Sequence, residues 1–591
     1  SIIFSIICKP TIYYCQAYFL HYDFILFYNH SYKSFLGGRI IMILNTIWEQ
    51  QYNPMGNIWF SAGVAALPIV IFLISLVIFK LKGYTAGGLS ILSAAIVAAV
   101  CYKMPVDKIA GAAEQGIVSG LWPVSSIVLA AIFLYKLTVK MGFFDVMKQS
   151  ISSISPDKRI QVLLIAFSFN AFLEGAAGFG APVAITAAIL VGLGFKPLQA
   201  AAVCLVANIA GGAYGAMGIP VTVPATLTDL DALTLGKNTS LVLVLVTIIV
   251  SFLIVFMVDG FKGIKETFPA ILVSGGSYSV TQFIFLNFVG PELVNVSSAI
   301  VSLLALIIFL KFWTPKNILV AEAKILTEEN NVLTAKKIVR AWTPFILLTL
   351  FVTIINLGFF KQLIQASNPK TGQKAGALNS LIFNFPYYID GSVARVAPIV
   401  KHPTPIKAVF SFAPFTSTTT AILLAAIVTI IIFRVRSRIV LLTIKETALE
   451  LWAPILTICS VLAFAYISTY SGMSSTLGLA FANTGKIFPL FSPILGWIGV
   501  FLTGSVVNSG SLFAGLQSVT ATQIGVDPSL LVASNIIGGA IAKMISPQSI
   551  AVAAAAVGLV NRDSEIFAKT IKWSVILLVL TGVLNLLITL R

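Results

Sequence analysis

Charge is scarce in this chain. One residue in ten is Asp, Glu, Lys or Arg, and histidine occurs three times in 591 residues. Two of those histidines, His21 and His30, fall within the first 41 residues, which leaves His402 as the one histidine beyond them. No H-E-x-x-H segment occurs, so a zinc peptidase has no ligand set. A membrane-embedded hydrolase would also need a nucleophile with a base, and none is apparent. The five cysteines, Cys8, Cys15, Cys101, Cys204 and Cys459, show neither metal-ligand nor disulfide-framework spacing. Neither cofactor nor metal is expected. Glycines are plentiful at 175, 178 and 180, yet no Gly-Lys-Ser/Thr ending follows them, which argues against a nucleotide loop.

What fills the space is apolar. Hydrophobic residues make up 58% of the chain and the mean hydropathy is +0.98, well above a soluble domain. Fourteen apolar runs, among them 59–80, 239–258, 268–289, 408–433 and 571–590, are candidates for crossing a bilayer. They are continuous rather than alternating, which indicates helices and not a barrel. The chain therefore reads as an all-α polytopic membrane protein whose first partner is the lipid bilayer. The net charge of +17 needs no nucleic acid, because the basic residues sit in short loops, as in "KLKG" at 80–83 and "RVRSR" at 434–438, where they orient the protein.

Residues 1–41 hold six of the sixteen tyrosines and two of the five cysteines, and begin with Ser. Met42 is read as the start of the protein proper, with an extra membrane segment as the alternative. Four regions follow: 1–41 as an extension, 42–312 as the first membrane half, 313–342 as a polar cytoplasmic linker and 343–591 as the second half.

Loop charge fixes parity. Basic loops at 80–83, 136–159, 311–340 and 434–445 belong on the cytoplasmic side. The turn near Lys196 then falls on the same side as Arg159, so 160–192 must leave and return. It is expected to be two squeezed crossings or a re-entrant hairpin, and 487–525 behaves likewise from the opposite face. Each hairpin is followed by nearly the same thirteen residues, "NIAGGAYGAMGIP" at 208–220 and "NIIGGAIAKMISP" at 535–547, with seven identities. Small residues recur in membrane helices for packing alone, but Asn and Pro at a fixed separation point to an inverted-topology repeat. Its site would lie near the bilayer midplane. In all, about 12 to 14 membrane segments are expected, counting hairpin arms.

The chemistry-bearing residues cluster there. In "FNAFLEGAAGFGAP", Asn170, Glu174 and Gly178 share one helical face. A carboxylate at that depth costs several kcal/mol. It should bind a proton, as a proton-coupled carrier requires, pair with a cation, or face a watery vestibule. Asn208 and Asn535 suit a hydroxyl or carboxylate oxygen, or an interhelical hydrogen bond. Lys543 is either the counter-charge of an anionic substrate or a lysine snorkelling to the headgroups. Pro220 and Pro547 mark helix breaks; Gln548 and Ser549 flank the second. The second hairpin carries "TGSVVNSGS", with Ser505, Asn508 and Ser511, and no acid. The loop 366–407, basic at Arg395, Lys401, His402 and Lys407, falls outside by parity, where it is a solvated loop or an attractor of anions.

The segments "NAFLEGAAGFGAPVAITAAILVGLGFKPLQAAAVCLVANIAGGAYGAMGIPV" and "IGVDPSLLVASNIIGGAIAKMISPQSIAVAAAAVGL" resemble the L-lactate permease family, bacterial carriers of lactate and related 2-hydroxymonocarboxylates such as glycolate. The resemblance runs from about Met42 to the end. It implies symport of a 2-hydroxy acid anion and a proton across the bacterial cytoplasmic membrane. On that likeness Glu174 couples the proton, and Asn208, Asn535, Lys543, Gln548 and Ser549 surround the substrate. A sodium-coupled carrier of other organic anions is the alternative, followed by a passive channel.

Overall fold

The computed structural model describes residues 47–79, 81–176, 181–320, 334–356, 381–384, 389–406, 408–412, 414–559 and 562–590. The N-terminal 41 residues, Gly178 and Lys407 lie outside them.

Helices dominate because an apolar backbone in lipid must bond to itself. Ten helices among the described residues are long and apolar enough to cross a membrane, and Pro197–Gly212 with Gly215–Leu227 forms a further pair bent by 49°. The protein is thus the multi-pass helical membrane protein that the hydropathy implies. A side-chain cap begins the helix Ile58–Val77: Asn57 Oδ1 accepts from the backbone N–H groups of Trp59 (2.9 Å) and Phe60 (3.2 Å). The helical stretch Ala232–Phe288 would be about 85 Å long if straight, far more than one bilayer. It is interrupted at Asp259, Gly260 (φ 60°) and Thr267, which splits it into the two crossings expected at 239–258 and 268–289.

Burial sorts the helices into a centre and a sheath. The most apolar window of Lys158–Ala176 is wholly buried and that of Pro528–Ala556 is 94% buried, whereas Ile58–Leu76 and Asp563–Thr589 are 33% buried. Large apolar side chains such as Phe60, Leu92, Leu304 and Val579 face outward on the sheath. The two segments richest in polar motifs are therefore shielded from lipid by the plainest ones.

The expectation of a span over 408–433 is corrected. Val409–Phe412 is a strand, paired antiparallel with Leu381–Asn384, and Pro414–Thr416 is a 3-10 turn. The helix begins only at Thr418, behind Ser417, whose hydroxyl accepts from the Thr419 N–H at 3.2 Å. Pro414 has no N–H to offer a helix interior, and Ser417 supplies the start signal. A second small sheet pairs Val393–Arg395 with Trp48–Glu49 and with Thr404–Pro405.

Contacts between loops agree with the parity of charge. Lys140 Nζ lies 2.6 Å from Glu446 Oε1, which ties the segment 136–159 to the residue that follows the segment 434–445. Arg159, 1% exposed, pairs with Asp157 (2.8 Å), Asp259 (3.0 Å) and Glu266 (2.5 Å) and donates to the Asn317 carbonyl, which joins a third. On the other face, Gln523 Nε2 donates to the Pro398 carbonyl at 3.1 Å, and Asn238 Nδ2 to Asp527 Oδ2 at 3.3 Å.

The Arg159 cluster yields a prediction. Arg159→Met leaves Asp157 buried without its partner, and removing one member of a buried pair costs about 3–5 kcal/mol. Its hydrogen bond holds the Glu266 carboxyl below the ordinary 4.5. A depressed carboxyl contributes stability above its unfolded value that is lost as pH falls through its folded value. Thermal unfolding in detergent between pH 7 and 3 should show an acid-side loss that is smaller in Glu266→Gln. An identical pH profile for the two proteins refutes the assignment.

Candidate functional site

Two helical hairpins stand next to the motif copies. Lys158–Ala176 is followed by Ala181–Gly192, which packs back on it. The return arm is about 18 Å long at 1.5 Å per residue, too short for a 30 Å core. The second hairpin pairs Phe488–Thr503 with Val506–Ile524 around Gly504 (φ +69°) and Ser505. Ser505 caps the second arm by accepting from the Asn508 N–H at 3.3 Å. At Gly504 both the left-handed backbone and space demand glycine, since a Cβ would stand 2.2 Å from Gln548 Oε1.

The two motif copies break at matching places. In the first, Ala216, Met217 and Gly218 all have positive φ (45°, 62° and 77°). In the second, Pro528–Ala542 ends, Lys543 serves as its C-cap, and a new helix, Pro547–Ala556, starts behind Ser546. Ala216 to Gly218 align with Lys543 to Ile545. Pro220 stands two residues past the left-handed run, and Pro547 opens the next helix, where a missing N–H is harmless. Two residues without glycine's freedom held in the left-handed region cost of order 1–3 kcal/mol each. The bend is held from behind: Asn295 Nδ2 donates to the Gly211 carbonyl at 2.6 Å, and Tyr278 Oη to Asn295 Oδ1 at 3.2 Å.

These four segments meet around one cavity of about 80 Å³, several times the 10–15 Å³ that one water occupies. Glu174 comes from the end of the first hairpin arm, Gly212, Gly215, Ala216 and Pro220 from the first motif, and Gly504 to Val507 from the second hairpin tip. Lys543, Gln548, Ser549 and Val552 come from the second motif region. At its centre the Glu174 carboxylate is ion-paired with the Lys543 ammonium. Both are buried, at 1% and 7% exposure. Glu174 thus pairs with a cation, and Lys543 turns inward instead of snorkelling. The second carboxylate oxygen, Oε2, is buried with no hydrogen-bond partner within the protein.

The remaining residues singled out in the sequence are placed variously. Gln548 and Ser549 line the cavity, and the Ser549 hydroxyl accepts from Ser546 at 2.8 Å. Asn170 does not line it; its Nδ2 donates to the Cys204 carbonyl at 3.0 Å and ties the hairpin to the neighbouring helix. Asn208, Asn508 and Asn535 are buried outside the lining. Asn208 and Asn535 share one property: each side-chain oxygen lacks a donor within the protein.

The glycines of the first motif do more than let helices approach. A Cβ at Gly215 would stand 2.6 Å from Glu174 Oε1, and one at Gly212 would stand 3.3 Å from Lys543 Cδ. They make room for the ion pair. The signal was present in the spacing of Gly211, Gly212 and Gly215, but its meaning required knowing what faced it. Asn295 and Tyr278 carry no such signal, since they stand in apolar runs outside the repeated motif.

Comparison with known proteins bears on this geometry. The profile of the L-lactate permease family matches residues 61–590. An L-lactate permease of Escherichia coli (strain K12) is 48% identical over 545 residues, 91% of this chain and 98% of that protein. A glycolate permease of the same strain is 48% identical over 554 residues, with the same coverage. Among solved structures, the YdaH transporter of Alcanivorax borkumensis superposes with a TM-score of 0.43 at 15% identity, covering 80% of this chain and 86% of that one, too loose a likeness to carry an argument.

Proposed function

The chain belongs to the L-lactate permease family, and from that premise we propose that it imports L-lactate or a related 2-hydroxymonocarboxylate, such as glycolate, together with a proton. Membership makes it a transporter rather than an enzyme, a multi-pass protein of the bacterial cytoplasmic membrane. The names of the two relatives support the substrate class. One observation carries the coupling: a buried acid and a buried base neutralise each other across a cavity shared by both halves.

Without substrate, Glu174 and Lys543 keep the site electrically neutral, which spares an isolated charge in a medium of low dielectric constant. A monocarboxylate entering alone would leave one net negative charge. Entering with a proton on Glu174, it takes over Lys543 as its counter-ion and neutrality is restored. Gln548 and Ser549 offer hydrogen bonds for a second oxygen, as a 2-hydroxy group requires. The loaded and empty sites are thus both neutral, and the half-loaded site is not. That is the condition for coupled transport.

The two halves form an inverted repeat around this site. Matching breaks, hairpins that each line the same cavity, through Glu174 and through Gly504 to Val507, and the approach of Gly212 to Ala540 at nearly equivalent motif positions support that arrangement. The polar stretch 313–342 links the halves, with 42–312 and 343–591 as the repeats.

The test is uptake of labelled L-lactate and glycolate into proteoliposomes under an imposed pH gradient and then a sodium gradient. Accumulation should follow the pH gradient and ignore sodium. Preloaded substrate should accelerate uptake by counterflow, which a passive channel does not show. Uptake indifferent to pH and driven by sodium replaces the proton reading with the sodium one.

A further inference from the structure

A second cavity, larger than the central one, lies away from the ion pair. It measures about 230 Å³ and sits on the face that loop charge assigns to the outside. Its walls come from the end of the first broken helix, the outer end of the second hairpin, and the strand-and-turn segment 393–400. Gln523, through its bond to the Pro398 carbonyl, fastens that segment over the hairpin.

The lining is chemically selective. Arg395 supplies a guanidinium, Ser474, Ser475 and Ser518 supply hydroxyls, and Leu227, Ile399 and Val519 add apolar surface, whereas the lining threonines Thr228, Thr469 and Thr522 donate to carbonyls of their own helices. Arg395 faces Asp229 at 3.6 Å, longer than a hydrogen bond, and the Asp229 side chain is 77% exposed. Such a pair in water contributes little and yields readily to a competing carboxylate. A planar fork for a carboxylate, hydroxyls for a neighbouring oxygen, and a methyl-sized apolar wall match a small 2-hydroxy acid.

This cavity and the central one lie at opposite ends of the same two helices. From Pro220 to Leu227 is about 10 Å along one, and from Val507 to Gly515 about 12 Å along the other. Between them the helices touch: a Cβ at Gly510 would stand 2.7 Å from Pro224 Cγ. We infer that the outer cavity is an antechamber that binds the carboxylate substrate on Arg395 before the Pro224–Gly510 contact parts and admits it to Lys543. This rests on the transport reading above and adds a second, external site to it.

Uptake kinetics of L-lactate test it. Arg395→Gln is expected to raise the KM about tenfold with kcat changed less than twofold, and Arg395→Lys to recover only part of the loss, because an ammonium restores the charge but not the planar fork. The wild-type KM should also rise with ionic strength more steeply than that of the Gln variant. A KM within twofold of a transporting wild type overturns the outer site while leaving the transport reading intact. A wild type that moves neither lactate nor glycolate overturns that reading, and this site with it. Ser518→Cys gives a measurement independent of how Arg395 variants fold. Its modification by a negatively charged thiosulfonate should be slowed at least threefold by external L-lactate, with the native protein as control, and a rate unaffected by lactate overturns the proposal.

Discussion

Glu174→Gln is expected to abolish accumulation of lactate driven by a pH gradient, by about 100-fold or more, while substrate exchange continues. The reason is the balance of charge in the central cavity. Glutamine keeps the shape of the side chain but cannot take up a proton, so the empty site holds a buried ammonium with nothing opposite it. Losing one member of a buried pair costs about 3–5 kcal/mol, and an entering carboxylate relieves that cost. Substrate then binds more readily and leaves more slowly, and the carrier shuttles loaded in both directions. Lys543→Met has the opposite signature. It removes the counter-ion of the anion, so exchange and net uptake both vanish. The double variant Glu174→Gln/Lys543→Met should be better folded than Lys543→Met alone, since neither charge is stranded, yet it should bind no lactate. Labelled-lactate uptake and counterflow in proteoliposomes separate these cases. A Glu174→Gln protein that still concentrates lactate on a pH gradient ends the proposed coupling.

The second large effect is structural. In the second half, a Cβ at Gly538 would stand 1.9 Å from the Pro493 carbonyl oxygen, and one at Gly496 would stand 1.9 Å from the Asn535 carbonyl oxygen. The two glycines face each other's helices across a crossing in which backbone touches backbone. No side chain can swing aside, so Gly538→Ala or Gly496→Ala must push the arm Phe488–Thr503 away from Pro528–Ala542. Overpacking of this kind costs about 3 kcal/mol or somewhat more, a large part of a total stability of roughly 5–15 kcal/mol. Because Pro528–Ala542 leads straight into Lys543, the displacement also carries into the cavity. Monodisperse protein recovered after detergent extraction should fall several-fold for either variant. Gly276→Ala is the control: it has nothing within 4 Å of the added carbon and sits in a helix, where alanine is favoured by up to about 1 kcal/mol. Equal recovery of all three would show that the crossing tolerates separation.

Much of the site was legible in one dimension because membrane burial makes polar residues conspicuous. A lone acid among alanines and glycines, and a thirteen-residue motif written twice, stand out against apolar sequence. Loop charge is likewise a one-dimensional quantity, and it grouped on one side the segments that Lys140–Glu446 and the Arg159 cluster join. The asparagines show the limit of such reading. Asn170 shares a helical face with Glu174, yet it turns to the Cys204 carbonyl, because periodicity places a side chain on a face without saying what opposes it.

The composition and order of residues alone determined that the chain is helical and membrane-spanning, that one motif is written twice, and that Glu174 and Lys543 are exceptional. That follows from lipid, which imposes nearly the same demand at every position and so can be read locally. Only the tertiary structure decided that those two residues, 369 positions apart, form a single pair, that the glycines of the first motif exist to make room for it, and that a second cavity waits beyond the Pro224–Gly510 contact. Pairing is a property of distance in space, and a chain folded back through a bilayer many times does not preserve sequence distance.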